Sequence, residues 1–425
     1  MLAYSPTRTE MSRAIGQALA QGFWRPGDTA LLLHDLDRLA ARGREIVAAF
    51  PGSCLHTVAV KANPLPPLLA VLRDLGFGAE AASLPELVLA LKCGFAPEKI
   101  AFDSPAKTRE EIAYALTRGV RLNCDNLDEA ARVAEILDGR APQSPIGLRV
   151  NPQVGLGAVA MSSTAGAYSK FGAPLAEERE AILQAFARWP FLSGLHLHVG
   201  SQGCGLDLLV SGAARVFALA RDIEARTGRA LTALDIGGGL PFPYLADAAP
   251  VDPGTYAQAL ARECPGLFER YGVVTEFGRF LQAGAGFAAS RVEYAKRQGD
   301  IRTAVLHLGA DLMPRECLRP GEWPHVFAAF GPDGTPLAGP QAVYQLAGPL
   351  CFSGDFCARD VRLPELAPGD ILAVRDAGAY TLSMWSRYNS RAMPRVLGYR
   401  EKGGGLELAV LKERESVERV LEFWR

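Results

Sequence analysis

The chain has 425 residues, more than one ordinary core accommodates, so two domains are expected. Hydrophobic residues make up 49% and charged residues 21%, the balance of a soluble globular chain. Lys plus Arg (45) and Asp plus Glu (46) nearly cancel to a formal net charge of −1, which excludes charge-driven binding to nucleic acid or to a membrane surface. The N-terminal MLAYSPTRTEMSRAIGQ lacks the basic-then-apolar order of a signal peptide, and no apolar run is long enough to span a bilayer. From about residue 57 to 276, short apolar runs alternate with helical stretches. The runs are Thr57–Val60, Phe77–Glu80, Ile100–Asp103, Val120–Asn123, Ile146–Val150, Gly194–Val199, Ala233–Ile236 and Val273–Glu276. Pro85–Lys92, Thr108–Thr117, Asn126–Leu137 and Leu206–Arg226 are among the expected helices.

Eight near-continuous apolar strands, each followed by a helix, predict a parallel sheet covered on its outer face. Eight is the number that closes a (β/α)₈ barrel of the TIM type; an open doubly wound sheet is the alternative. After about residue 285 strand-like segments take over, at Arg302–Leu308, Gln341–Leu346, Ile371–Val374 and Leu406–Leu411. The expected division is a barrel over 31–284, with 1–30 and 285–425 forming a β-rich domain. A hairpin loop is expected at Gly403–Gly405 and a closing helix at Ser416–Trp424. The eight cysteines are scattered without a C-x-x-C pair, so neither zinc, nor any other metal site, nor a disulfide framework is expected, and the cytoplasm is the expected location.

In such a barrel the chemistry lies at the C-terminal strand ends. Those ends carry Lys61, Glu80, Asp103, Cys124, Asn151, His198, Gly237 and Glu276. A lysine at a water-poor barrel mouth has its pKa lowered by burial and can form a Schiff base with an aldehyde; alone, it reads more readily as a solvated strand-end lysine. Gly237, Gly238 and Gly239 follow the seventh run, where many barrels bind phosphate, and glycines let backbone N–H groups approach it. Glu276 could hold a pyridine nitrogen protonated, making the ring an electron sink, and Arg279 could pair with a phosphate or a carboxylate. The bland alternative is a surface ion pair between those two. His198 could stack on a flat ring and Ser201 could donate to phosphate. His196 shares a face with His198 by period-2 alternation and reads as a satisfied core histidine.

Six motifs now stand in order: V-A-V-K-A-N, H-L-H-V-G-S-Q, D-I-G-G-G-L, E-F-G-R, G-P-L-C-F-S-G-D and D-A-G-A-Y-T-L-S-M-W-S-R-Y-N-S-R. From about residue 57 onward the chain resembles fold-type III pyridoxal-phosphate decarboxylases. The branch is that of diaminopimelate decarboxylase, related to ornithine decarboxylase and more distantly to alanine racemase. The resemblance implies an alanine racemase-like barrel with a C-terminal β-rich domain, pyridoxal 5'-phosphate as cofactor, an amino-acid substrate and an obligate homodimer with shared sites. It implies that Lys61 carries the cofactor, that Glu80 lies near its ring, that His198 stacks on the ring and that Glu276 meets the pyridine nitrogen. Ser201, Gly237–Gly239, Arg279 and Tyr380 would surround the phosphate. Cys351 would protonate the carbanion from across the dimer interface, with Asp355 and Tyr388 nearby.

Two departures from the family pattern matter. Phe277 stands where proline is common, which is expected to alter a loop and little chemistry. Phe352 follows Cys351 where relatives carry an acid for the substrate's distal ammonium; losing that bond costs about 1.5–3 kcal/mol of recognition. Arg319, before Pro320, matches a pair that meets a substrate carboxylate, and Arg315 adds a second positive group. Arg279, Arg315, Arg319, Phe352, Asp355 and Tyr380 are therefore the expected substrate contacts. A far end that is anionic or neutral suits this set, so a carboxylate-rich siderophore-type intermediate is the expected substrate, with diaminopimelate as the alternative. A racemase on the same scaffold is a second alternative. A non-catalytic regulator ranks last, because Lys61 and Cys351 are both present.

Overall fold

The computed structural model describes residues 3–245 and 250–425. All eight apolar runs form parallel strands: β1 Leu55–Ala59, β2 Gly78–Ala81, β3 Ile100–Phe102, β4 Arg121–Cys124, β5 Ile146–Asn151, β6 Leu192–His196, β7 Ala233–Asp235 and β8 Gly272–Phe277. Neighbours run β4-β3-β2-β1-β8-β7-β6-β5, and β5 returns to β4 through Leu122↔Ile146, Asn123↔Gly147 and Cys124↔Leu148. That last pairing closes the sheet and excludes the open doubly wound alternative. The strands are apolar throughout because helices cover the outside while side chains fill the inside.

Three of the barrel helices start where a short polar side chain takes up an orphan amide. Ser83 accepts from the Glu86 N–H, Thr108 and Glu111 form a reciprocal capping box, and Asn126 accepts from the Glu129 N–H. These caps end the strand-to-helix loops just after the strand ends, and so hold the barrel mouth in shape.

The described residues fall into two compact units. One holds the barrel, over Arg42–Phe242 and Pro250–Leu281; the other comprises residues 3–41, 243–245 and 282–425. The second unit is built on a six-stranded sheet in the order 327–330, 371–374, 286–291, 30–35, 395–402 and 405–412. The helix Arg8–Ala20 places Met11, Ala14, Ile15 and Ala18 on one face, at helical spacing, in a core with Leu31, Leu33, Phe287, Phe330 and Leu397. A four-stranded sheet (294–298, 301–305, 341–347, 356–364) carries a separate core around Tyr344, Leu346, Leu363 and Leu372. The expected boundary at residue 30 falls too early. Ala30–Asp35 is a strand of the six-stranded sheet, pairing with Gly286–Ser290 and with Arg395–Tyr399. Its run A-L-L-L-H-D reads like a barrel strand because it too is buried on both faces.

Candidate active site

All eight barrel strands send a polar or charged group to the mouth. Lys61 sits in a single 3-10 turn, Val60–Ala62, just past β1, and its Nζ lies 2.6 Å from Glu80 Oε2 on β2. The lysine side chain is 39% exposed and that of Glu80 is fully buried, so the amine meets a carboxylate rather than the apolar surroundings expected for it. Asp103 follows β3, and Asn123 on β4 donates to Asp235 Oδ2 of β7 at 3.3 Å. Arg149 on β5 is buried, 3.7 Å from Asp125 and stacked on the Phe171 ring at 4.5 Å. His196 closes β6, and its Nε2 lies 3.6 Å from Glu276 Oε1 on β8 and 3.9 Å from Asp103 Oδ2.

Four buried carboxyls, those of Glu80, Asp103, Asp235 and Glu276, therefore face two strong cations, Lys61 and Arg149. They cannot all ionise in a poorly solvated site. Burial and the nearby Asp103 charge push Glu276 up to about 7. Burial and Glu276 push Asp235 up to about 7 as well. Burial and Asp103 raise Glu80 well above the carboxyl range. Burial opposes ionisation of Asp103 too, but Lys61 and a hydrogen bond from Glu80 outweigh it, so its carboxyl is lowered and Asp103 holds the charge of that pair.

His198 lies two residues beyond β6, in a loop, within the electrostatic reach of Arg149, Lys61 and His196. The Gly238 N–H donates to its Nδ1 at 3.1 Å, which fixes the neutral tautomer with the proton on Nε2. Burial, and then the Arg149 charge, hold this imidazole well below its usual pKa. The glycine triplet is a matter of shape more than of amides. The Gly237 N–H already donates to Asp235 Oδ1 at 3.0 Å, and that of Gly238 to His198. A Cβ would strike the Leu197 carbonyl at Gly237, the Glu276 carbonyl at Gly238 and the Gly200 carbonyl at Gly239, with positive φ at the first and last. Ser201 Oγ accepts from the buried Arg279 Nε at 3.1 Å. Glu276 and Arg279 are thus buried groups, not a surface pair. Phe277 is not a loop residue: it ends β8, buried, with its ring 6.1 Å from that of Phe50.

The remaining expected residues lie in the second unit. Cys351 is exposed; its N–H donates to Asn389 Oδ1 at 2.8 Å, and its carbonyl accepts from Tyr388 Oη at 3.4 Å. The Phe352 ring meets that of Tyr388 edge-on at 6.4 Å. Tyr380 adopts the left-handed conformation, φ 56°, and its carbonyl accepts from Arg315 Nη2 at 3.1 Å. Arg315 is packed over the Trp323 and Tyr380 rings at 4.3 and 5.3 Å. Arg319 is exposed beside Glu322, so of the two arginines Arg315 is the held one. Asp355 is buried, and its oxygens accept from the Ala310 N–H at 2.7 Å and the Leu350 N–H at 2.6 Å. It shapes the loop that carries Cys351.

A sequence model of the family described as "Pyridoxal-dependent decarboxylase, pyridoxal binding domain" matches residues 36–283. The chain belongs to the pyridoxal-dependent decarboxylase family. Diaminopimelate decarboxylase of Methanothermobacter thermautotrophicus is 31% identical over 397 residues, 91% of this chain and 90% of that one. That of Pseudomonas aeruginosa is 35% identical over 339 residues, 78% of each chain. The crystal structure of the Helicobacter pylori enzyme complexed with L-lysine superposes with a TM-score of 0.84 at 27% identity, covering 95% of this chain and 99% of that one.

Like the rest of its family, this decarboxylase is a pyridoxal-phosphate carboxy-lyase acting on an amino acid, which sets aside the racemase and the non-catalytic readings. Its residues fit the cofactor. Glu276 Oε1 is a buried acceptor with no hydrogen-bond partner among the described residues, as a pyridinium N–H requires. The buried Arg279 guanidinium and the Ser201 hydroxyl, paired just past the strand ends, offer the cation and the hydroxyl that a phosphate can use. Arg149 and Asp235 were not singled out in the sequence, although both lie within recognisable strands and Asp235 opens D-I-G-G-G-L. No helix among the described residues is long and apolar enough to cross a membrane.

The crowding has a thermodynamic consequence. A carboxyl raised to about 7 in the fold against an ordinary value of 4.5 takes up protons on folding between those values, so stability falls as pH rises through that window. Without cofactor, Glu276→Gln is therefore expected to stabilise the protein at pH 8, by on the order of 1–3 kcal/mol, and much less at pH 5. Thermal melts at both values read this directly; a variant less stable than the parent at pH 8 would contradict the charge crowding.

Proposed function

We propose that the protein removes the α-carboxylate of meso-diaminopimelate to give lysine, acting as a homodimer with shared sites. The observation that carries this is the 31–35% identity to diaminopimelate decarboxylases over most of the chain, which supports that substrate better than a siderophore-type intermediate. Pyridoxal phosphate, when bound, supplies an aldehyde for amines and a ring that delocalises the electron pair left by departing carbon dioxide. Lys61 holds the cofactor covalently through Nζ, and Glu80 keeps that amine oriented. His198 stacks on the ring, fixed by the Gly238 N–H. Ser201, Arg279 and the Gly237–Gly239 turn would bind the phosphate, and Glu276 would orient the ring through its nitrogen. Arg315 takes the substrate's far carboxylate. Cys351 of a second copy delivers the proton to Cα after carbon dioxide leaves. Its exposure, beside the exposed Tyr388, supports a role at a subunit interface.

One observation favours a second reading. Phe352 cannot neutralise a distal ammonium, so a substrate with a far carboxylate and no far ammonium also suits this chain. The missing bond is worth about 1.5–3 kcal/mol, or roughly 10- to 150-fold in kcat/KM. Carbon dioxide release from meso-diaminopimelate, 2-aminopimelate and a citrate-conjugated diamino acid would rank the two. The proposal expects diaminopimelate to have the highest kcat/KM. Turnover of either of the others with none of diaminopimelate would overturn it in favour of the second reading.

A further inference from the structure

His196 is fully buried, and neither ring nitrogen has a hydrogen-bond partner among the described residues. It is therefore not the satisfied core histidine that its position suggested. An unpartnered buried polar group costs about 1–3 kcal/mol, a cost that an aliphatic side chain on β6 would not incur. Its surroundings say what the imidazole is suited to do. Nε2 points between two carboxylates of different elements, 3.6 Å from Glu276 Oε1 and 3.9 Å from Asp103 Oδ2. One atom from each of these three residues lies within 4.8 Å of the other two. A nitrogen lone pair facing two carboxylate oxygens would be repelled by both, so Nε2 carries the ring's proton. That single N–H can reach Glu276 or Asp103 by a small ring movement, but not both well.

We infer that His196 and Asp103 are positioning residues that act through Glu276, sharing one N–H whose direction decides whether Glu276 carries the charge that the cofactor's ring nitrogen requires. The inference rests on the proposed pairing of Glu276 with that nitrogen. Turned to Glu276, His196 stabilises its ionised form and fixes Oε1. Asp103 opposes this twice, by its own negative charge and by competing for the same donor. The other charged and titratable groups around Glu276 are Lys61 after β1, Glu80 on β2, Arg149 on β5, His198 after β6 and Asp235 on β7. Lys61 and Arg149 favour the anion, and so does Asp235 when it keeps its proton and donates it to Glu276; Glu80, when ionised, disfavours it.

The two residues therefore have opposite signs, which a merely structural role would not produce. In the holoenzyme, His196→Leu is expected to move the acidic limb of the kcat/KM profile up by about one pH unit. Asp103→Asn, nearly isosteric, is expected to move it down by about one unit. His196→Asn keeps a donor and should restore most of the parent profile. With ¹⁵N-labelled pyridoxal phosphate, the ring-nitrogen resonance at a pH on the limb should move toward neutral pyridine in His196→Leu and toward pyridinium in Asp103→Asn. Unchanged resonances, or shifts of the same sign in both variants, would overturn the inference. Should His196→Leu fail to fold, the sign of the Asp103→Asn shift alone decides. Glu276→Gln separates the levels: if it leaves the ring nitrogen protonated, the pairing itself is wrong and the inference falls with it. If it abolishes the pyridinium signal while the other variants have no effect, only the inference falls.

Discussion

Lys61→Ala is expected to lose the visible absorbance of the bound cofactor and to lower kcat by at least about 10³-fold. The turn Val60–Ala62 lifts the lysine off β1 and sets Nζ 2.6 Å from Glu80 Oε2, inside a ring of side chains from all eight strands. Without the amine, pyridoxal phosphate keeps only its non-covalent contacts, at the Gly237–Gly239 turn, Arg279 and Glu276. Binding should weaken, and the substrate must then meet a free aldehyde rather than exchange with a preformed linkage. Absorbance spectra and turnover on the same sample read both effects. A variant that keeps the band and more than a tenth of its activity would place the cofactor elsewhere.

Cys351→Ala is expected to leave that band intact and lower kcat by roughly 10²–10⁴-fold, the usual range for loss of a general acid. The thiol is exposed on a loop held from two sides: Asn389 Oδ1 accepts from the Cys351 N–H, and Asp355 accepts from Leu350 and Ala310. Because the substitution removes no buried packing, stability should change little. Spectra, thermal melts and steady-state rates together separate a proton donor from a structural thiol. Loss of the cofactor band in Cys351→Ala would contradict a role confined to proton delivery.

The barrel is legible in the sequence because its signal is periodic and local. Each strand is buried on both faces and so reads as a continuous apolar run, and several helices announce themselves with a Ser, Thr or Asn cap. The strand Ala30–Asp35 misleads for the same reason, since burial on both faces in a mixed sheet gives the same run. The conserved-looking strings brought Lys61, His198, Glu276 and Arg279 to attention, and the structure gathers them within one unit. What the sequence could not disclose was pairing across the barrel. Asp103, Asp235 and His196 are ordinary residues until closure brings β3, β6, β7 and β8 together, and only then do their charges compete. Asp355 shows the converse: an acid in a functional motif whose oxygens are taken by backbone amides. The motif favours Arg319, before Pro320, and only packing against Trp323 and Tyr380 singles out Arg315.

The most direct test of the central claim is chemical. The holoenzyme would be reduced with borohydride to fix the cofactor, digested, and its peptides weighed. The account predicts a phosphopyridoxyl group on the peptide containing Lys61 and on no other lysine. Labelling at a different lysine, or none despite a cofactor-bound spectrum, would contradict it.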